Sequence, residues 1–237
     1  MSRSGHRTVP AHTRGALGIV LVMPRRSAPT QERAVQTRAA VIAGAAAVFH
    51  QRGYANASLD QISDESGVTR GAMYFHFPSK EAIANAVIAE QHRIVRDEAE
   101  TVLARAGSAF EAVVMMCESF ARQLSDDEIV RAGIRLTTEG SAEDLSTIAP
   151  YEDWIATMQN LFRLAIEQGD VREDIDPVAL GRFVVASYTG VQLVSGTLTR
   201  RTDLFDRMRE MWVILVPGII RPERQPAALQ LAKQFSR

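Results

Sequence analysis

Between Gly67 and Lys80 the chain gathers Thr69, Arg70, Gly71, Tyr74, His76 and Lys80 into one short stretch. These side chains suit a phosphate backbone and the edges of bases. Arg70 is the side chain there able to give guanine a bidentate pair of hydrogen bonds. Tyr74 and His76 can donate to phosphate or pack on sugar. Lys80, at a helix start, can meet a phosphate with its charge and its backbone amide. Gly71 removes a side chain where a helix must lie close to a surface. The pattern predicts a short helix from Thr69 to Phe75. Thr69 is its expected N-cap, Gly67 the tight turn before it and Pro78 its stop. Ser79 then caps the next helix, with Glu81 in the first turn. Arg70, Gly71 and Tyr74 share a face, and Met73 with Phe77 points the other way. Phe75 is expected in the core beside them.

Enzyme chemistry finds little support. The chain has no His-Glu-x-x-His, no cysteine pair, no phosphate-binding glycine loop and no Gly-x-Ser-x-Gly. Glu90 and His92 fall on adjacent helix faces and do not make a metal pair. Asp126-Asp127 and Glu143-Asp144 suit capping and solvation. No catalytic residue, metal or cofactor is expected.

The elements that must hold the Thr69 helix precede it. Val35, Ile42, Ala45, Ala46 and Phe49 recur at helical spacing from Glu32 to Arg52, and Gly53 is the expected stop. Ser58 caps a second helix, Leu59 to Ser66. A helix, then two short helices joined through Gly67, make a helix-turn-helix unit. One short helix reads only a few base pairs, so usable affinity requires a dimer on palindromic double-stranded DNA.

Composition agrees. The 237 residues carry a net charge of −1, so nucleic-acid binding needs a local patch. From Arg25 to Lys80, Arg and Lys outnumber Asp and Glu, and the remainder is mildly acidic. Cys117 is the lone cysteine, consistent with a reducing, cytoplasmic setting. Residues 1–30 read as a disordered extension, with translation from Met23 an alternative. Their apolar run, Ala16 to Met23, is far below the roughly 20 residues that span a bilayer, and no membrane partner is expected. The domains expected are 31–78 for DNA and 79–237 for the rest.

After Ser79 the chain reads as helix to its end, giving an all-α fold of nine or ten helices. Long helices are expected at Ser79–Ala104, Ala109–Leu124, Pro150–Gln168 and Pro177–Leu198. Asp126 is the expected cap of a helix reaching Thr138. A further helix runs from Thr202 or Asp203 to Pro217, and a last one over Pro226–Phe235. Gln91 stands among Val87, Ile88 and Ile94, where an amide wants a polar partner. Thr189 stands among Val184, Val185 and Val191. His92 and Tyr188 take their places if the helix phase shifts by one. Simpler structural roles stay open: Gln91 as a surface residue, Thr189 bonded to its own helix.

The run Ser58-Leu59-Asp60-Gln61-Ile62, then Gly67-Val68-Thr69-Arg70-Gly71-Ala72-Met73-Tyr74-Phe75-His76-Phe77 and Lys80-Glu81 resembles the N-terminal signature of TetR-family transcriptional regulators. The Tyr-Phe-His-Phe ending, Trp154 in its Pro150-Tyr151-Glu152-Asp153 context, and Ser195-Gly196-Thr197-Leu198 with Glu210-Met211-Trp212 resemble the γ-butyrolactone autoregulator receptors of streptomycetes. The resemblance implies that the Thr69 helix enters the major groove, that Ser58 caps its helix against a phosphate, and that Val178–Leu198 with Asp203–Val216 forms a four-helix bundle in a homodimer. It implies a small lipophilic effector of γ-butyrolactone or butenolide type, with Trp154 against it, whose binding releases operator DNA and so controls antibiotic production. A regulator answering to an antibiotic or its precursor, or to no ligand, is the alternative.

Overall fold

The computed structural model describes residues 29–139, 145 and 147–235. The expected N-terminal extension, through residue 28, and most of the loop after Glu139 lie outside the described residues. Ten α-helices are present among them: α1 (Pro29–Asn56), α2 (Leu59–Ser66), α3 (Arg70–His76), α4 (Lys80–Leu103), α5 (Ala109–Asp126), α6 (Glu128–Glu139), α7 (Ile148–Glu167), α8 (Pro177–Thr199), α9 (Leu204–Ile219) and α10 (Gln225–Lys233). Extended pairing among the described residues is limited to one bridge, Val171 to Ile220.

The caps explain the head. Ser58 accepts from Gln61 N while Gln61 Oε1 accepts from Ser58 N, so two first-turn amides of α2 are satisfied reciprocally. Thr69 Oγ1 accepts from Ala72 N and Ser79 Oγ from Ala82 N. Gly67 closes α2 in the left-handed conformation, φ 66°. Gly53 breaks α1 with φ 74° and ψ 167°, as expected, and helical turns resume to Asn56. Gly44 lets α1 cross α2: a Cβ there would lie 2.6 Å from Ser66 N. Some expectations shift. Val35 is 65% exposed, outside the core. Asp127, not Asp126, caps α6 by accepting from Val130 N, because α5 runs two residues further than expected and takes in Asp126. Pro217 lies inside α9, which continues to Ile219.

Two cores form. The head core joins Val41, Phe49, Ile62, Met73 and Phe77 with Ile83 and Val87 of α4 and Ala132 and Leu136 of α6. The body core centres on Phe110, Leu124, Phe162, Met208 and Trp212, and takes Val95 of α4 and Val130 of α6. The head core thus extends beyond residue 78. Because α4 and α6 each bury side chains in both cores, displacing either helix in the body loads the head.

α8 is the one described helix long and apolar enough to cross a membrane by length and composition. One face packs on α7 and α9, and the other leaves Phe183, Val194 and Leu198 exposed, beside Ile214 of α9. The α8–α9 turn is tied by Asp203. Its Oδ1 accepts from Ser195 Oγ and from Thr199 Oγ1, each at 2.6 Å, and its Oδ2 from Arg207 Nε at 2.7 Å. The Ser195 hydroxyl first, then that of Thr199 and the Arg207 guanidinium, hold this carboxyl down at about 2, against an ordinary 3.8. A depressed carboxyl pKa contributes stability above the unfolded value and loses it as pH falls from about 3.8 toward 2. An acid titration of unfolding should therefore show Asp203→Asn flattening the loss of stability in that window; an unchanged curve contradicts the assignment.

Candidate nucleic-acid interface and effector cavity

Arg70, Gly71 and Tyr74 all lie on the exposed side of α3, while Met73 and Phe77 are buried. This is the division the helical spacing predicts. Phe75 departs from it: it is 83% exposed, its ring edge-on to His76. A seven-residue helix anchored through Met73 cannot also turn Phe75 inward, since the two positions lie on different faces. Phe75 therefore joins the outward face, where an apolar ring suits a thymine methyl group. Arg70 Nε donates to Asp60 Oδ1 at 2.7 Å, with both side chains more than half exposed. That exposed pair is weak and leaves Arg70 able to turn to another acceptor.

Lys80 is the second departure. Its Nζ donates to Tyr54 O at 2.9 Å and Ala57 O at 3.0 Å, and lies 4.4 Å from the centroid of the Tyr54 ring. The side chain thus ties α4 to the α1–α2 turn and is not presented to a phosphate. The two carbonyls and the ring outcompete solvent for a side chain that starts at their level. Lys80→Met should destabilise the head by about 2–3 kcal/mol, through lost charged hydrogen bonds and a lost cation–π contact. Denaturant unfolding measures this; an unchanged midpoint would deny the anchor.

The body holds a cavity between α4, α5, α6, α7 and α8. Gln91, Trp154, Tyr188 and Thr189 all line it, with Phe120 and Gln192. Gln91 is 1% exposed, and its Oε1 and Nε2 are both sealed from water without a hydrogen-bond partner. Gly133 on α6 makes room for it: a Cβ there would stand 2.4 Å from Gln91 Cβ. Phe120 stacks on Trp154 at 5.5 Å and 25° and on Tyr188 at 5.3 Å and 28°. Tyr188 donates from its hydroxyl to Cys117 O at 3.1 Å, and burial raises its phenol well above the ordinary range. Burial likewise pushes the Cys117 thiol up to about 12, so it is a packing group and not a nucleophile at neutral pH.

His92 is not in this cavity. It lies across Trp154 on the outer side, where its Nε2 is 3.0 Å from Asp153 Oδ2. One helical position rotates a side chain by about 100°, and the phase that buries Gln91 turns His92 outward. Thr189 lines the cavity with its hydroxyl already donating to Val185 O at 2.9 Å. The sequence reading missed Phe120 and Gln192. Phe120 reads in sequence as ordinary core, and Gln192 in a run of valines carried the same signal as Gln91.

Residues 41–87 match the family described as bacterial regulatory proteins, tetR family, and residues 107–221 a tetracyclin repressor-like C-terminal domain. The chain is 40% identical over 192 residues to the A-factor receptor protein of Streptomyces griseus, covering 81% of this chain and 67% of that one. The chain belongs to the TetR family. Among solved structures, a gamma-butyrolactone receptor described as ArpA-like superposes with TM-score 0.75 at 33% identity, over 86% of this chain and 98% of its own. The TetR-family protein CprB of Streptomyces coelicolor, solved with its biological operator, gives TM-score 0.75 at 34% identity, over 86% and 98%. TetR-family proteins are DNA-binding regulators rather than enzymes, and they bind operators as dimers. The α1–α3 head is accordingly the DNA-binding element of this chain.

Proposed function

We propose that this TetR-family chain is a cytoplasmic repressor that holds a palindromic operator as a homodimer and releases it when a γ-butyrolactone- or butenolide-type molecule enters the cavity, a switch suited to governing antibiotic production. The observation that carries this reading is Gln91, a sealed and unpartnered amide in a mostly apolar, aromatic-walled space. Leaving such a group unsatisfied costs stability, and a ligand carbonyl or hydroxyl would satisfy it. The relatives, an A-factor receptor and a gamma-butyrolactone receptor, support the same class.

The groups offered to DNA are Thr69, Arg70, Gly71, Tyr74, Phe75 and His76, with Ser58 and the amides at the start of α4 on phosphate. The apolar face of α8 and α9 would pair with its copy in a partner chain. The cavity volume is about 60 Å³, so a larger effector must move a wall. The half-buried Trp154, between Phe120 and His92, would be the wall that moves. α4 lines the cavity through Gln91 and enters the head core through Ile83 and Val87, so a wider cavity biases the spacing of the two heads. The Pro78-Ser79-Lys80 junction would transmit the motion.

Flat walls at Phe120, Trp154 and Tyr188 favour one second reading, an aromatic effector such as an antibiotic or its precursor. A gel shift on the DNA flanking the coding region separates the readings. Release by γ-butyrolactones supports the proposal. Release by aromatic compounds alone supports the second reading. Retained binding in the presence of both would mean a regulator without an effector of either class.

A further inference from the structure

Two guanidinium groups behind the cavity wall have no part in the reading above. Arg201, in the α8–α9 turn, folds back along α8 and donates from Nη2 to Gln192 Oε1 at 3.1 Å. Gln192 is 2% exposed and lines the cavity. Arg131 of α6 donates from Nη1 to Ser125 O at 2.7 Å. The Nε groups of both arginines are sealed from solvent and lack an acceptor. Among the described residues neither has a carboxylate within ion-pair distance. Asp203, two residues from Arg201, is taken up by Ser195, Thr199 and Arg207.

A second cation, Arg131, stands near Arg201. Burial first, then Arg131, lowers the Arg201 pKa from its ordinary value. Burial, followed by Arg131, Arg201 and Arg135, lowers that of nearby His50. The carbonyl end of α8 offers Arg201 the equivalent of about half a negative charge. Arg200 and Arg201 also hold left-handed backbone conformations, φ 54° and 66°, which disfavour side chains. A half-buried cation with a sealed Nε and one neutral acceptor, beside another cation, is an unfavourable arrangement that an anion would relieve. A carboxylate presents two acceptor oxygens to the guanidinium fork, where Gln192 presents one.

We propose that the cavity takes an amphiphilic carboxylate, seated at the Gln192 end and held by Arg201, with its apolar part along Phe120 and Trp154. This rests on the cavity being the effector site. A γ-lactone yields such a molecule by hydrolysis. Water adds to the acyl carbon, the ring acyl C–O bond breaks, the ring oxygen takes a proton to become a hydroxyl, and the acid gives up its proton at neutral pH. The resulting γ-hydroxyl would go to Gln91 and the carboxylate, past Gln192, to Arg201. Acids that never were lactones share this chemistry, and plain decanoate, which lacks the hydroxyl, distinguishes them.

The test is titration of the full chain with γ-decalactone, sodium 4-hydroxydecanoate and sodium decanoate at about pH 8, where both acids are ionised, followed by tryptophan fluorescence. Trp154 reports from the cavity wall. The hydroxy acid should bind at least about tenfold more tightly than the lactone, as a charge-assisted pair implies. Tight binding of decanoate as well would place the preference on the carboxylate alone. Arg201→Met should bring the ratio of acid to lactone near one, and Arg201→Lys should keep part of the preference. Should Arg201→Met fail to fold, Gln192→Leu and the ratio in the unaltered protein decide. Equal or weaker binding of both acids in the unaltered protein overturns the proposal. A parallel gel shift keeps the two readings apart. Release of DNA by the lactone with no acid binding overturns the carboxylate site and leaves the repressor reading standing. Arg201-dependent acid binding without release does the reverse.

Discussion

Gly71→Leu should abolish operator binding while leaving the fold at least as stable. Gly71 is in the second position of α3, and a Cβ there would meet nothing within 4 Å. Within the chain the substitution is therefore free of clashes, and it gains helix propensity of roughly 0.5–1 kcal/mol. Against DNA the effect reverses. A leucine side chain on the face shared with Arg70 and Tyr74 holds α3 off the groove floor, and direct readout is lost. The affinity should fall to the non-specific level, roughly 10³-fold or more below the specific one. Gel shifts with operator and scrambled duplex at fixed salt measure this, with thermal unfolding as the control. Undiminished operator binding would mean that α3 does not press its Gly71 face on DNA.

Gln91→Met should make the protein more stable and less responsive. The two side chains are close in length, so the space Gly133 provides is used in the same way. The buried amide, which has no partner, is replaced by a thioether that needs none. Removing that unsatisfied pair of polar atoms should stabilise the chain by about 1–3 kcal/mol. The same change removes the polar anchor proposed for the effector, so its affinity should drop roughly tenfold to a hundredfold. Denaturant unfolding and effector-dependent release read the two effects separately. A destabilised variant would show that the amide has a structural partner. A stabilised variant with unchanged release would move the ligand's polar contact elsewhere.

The local elements were legible because short-range physics fixes them. Ser58, Thr69, Ser79 and Asp176 cap helices through their own side chains, each bonding an amide two or three residues on. Gly53, Gly67 and Gly169 sit at positive φ, where other residues are strained. Gln91 stood out because an amide at an apolar helical position is costly wherever the helix packs. The outward face of α3 followed from the spacing of Met73 and Phe77.

Other assignments depended on partners that spacing does not show. Lys80 sits one residue past a predicted cap, which suits a phosphate contact. Its ammonium goes instead to Tyr54 and Ala57, more than twenty residues back, because the tertiary crossing of α1 and α4 brings two carbonyls and a ring within its reach. Gln91 and His92 are neighbours in sequence with equal claims to the cavity, and only the rotation of α4 against α6 decides between them. Phe120 and Arg201 carry no local signal at all. Phe120 becomes a cavity wall because α7 and α8 bring Trp154 and Tyr188 to its faces. Arg201 becomes a half-buried cation because a left-handed turn folds it back to Gln192. The sequence by itself determined most of the helices and caps and the exposed side of α3 at Arg70, Gly71 and Tyr74, since each rests on contacts within a few residues. The cavity, the residues that wall it and the coupling of α4 to two cores were decided by the tertiary structure, since each needs groups from helices far apart in the chain.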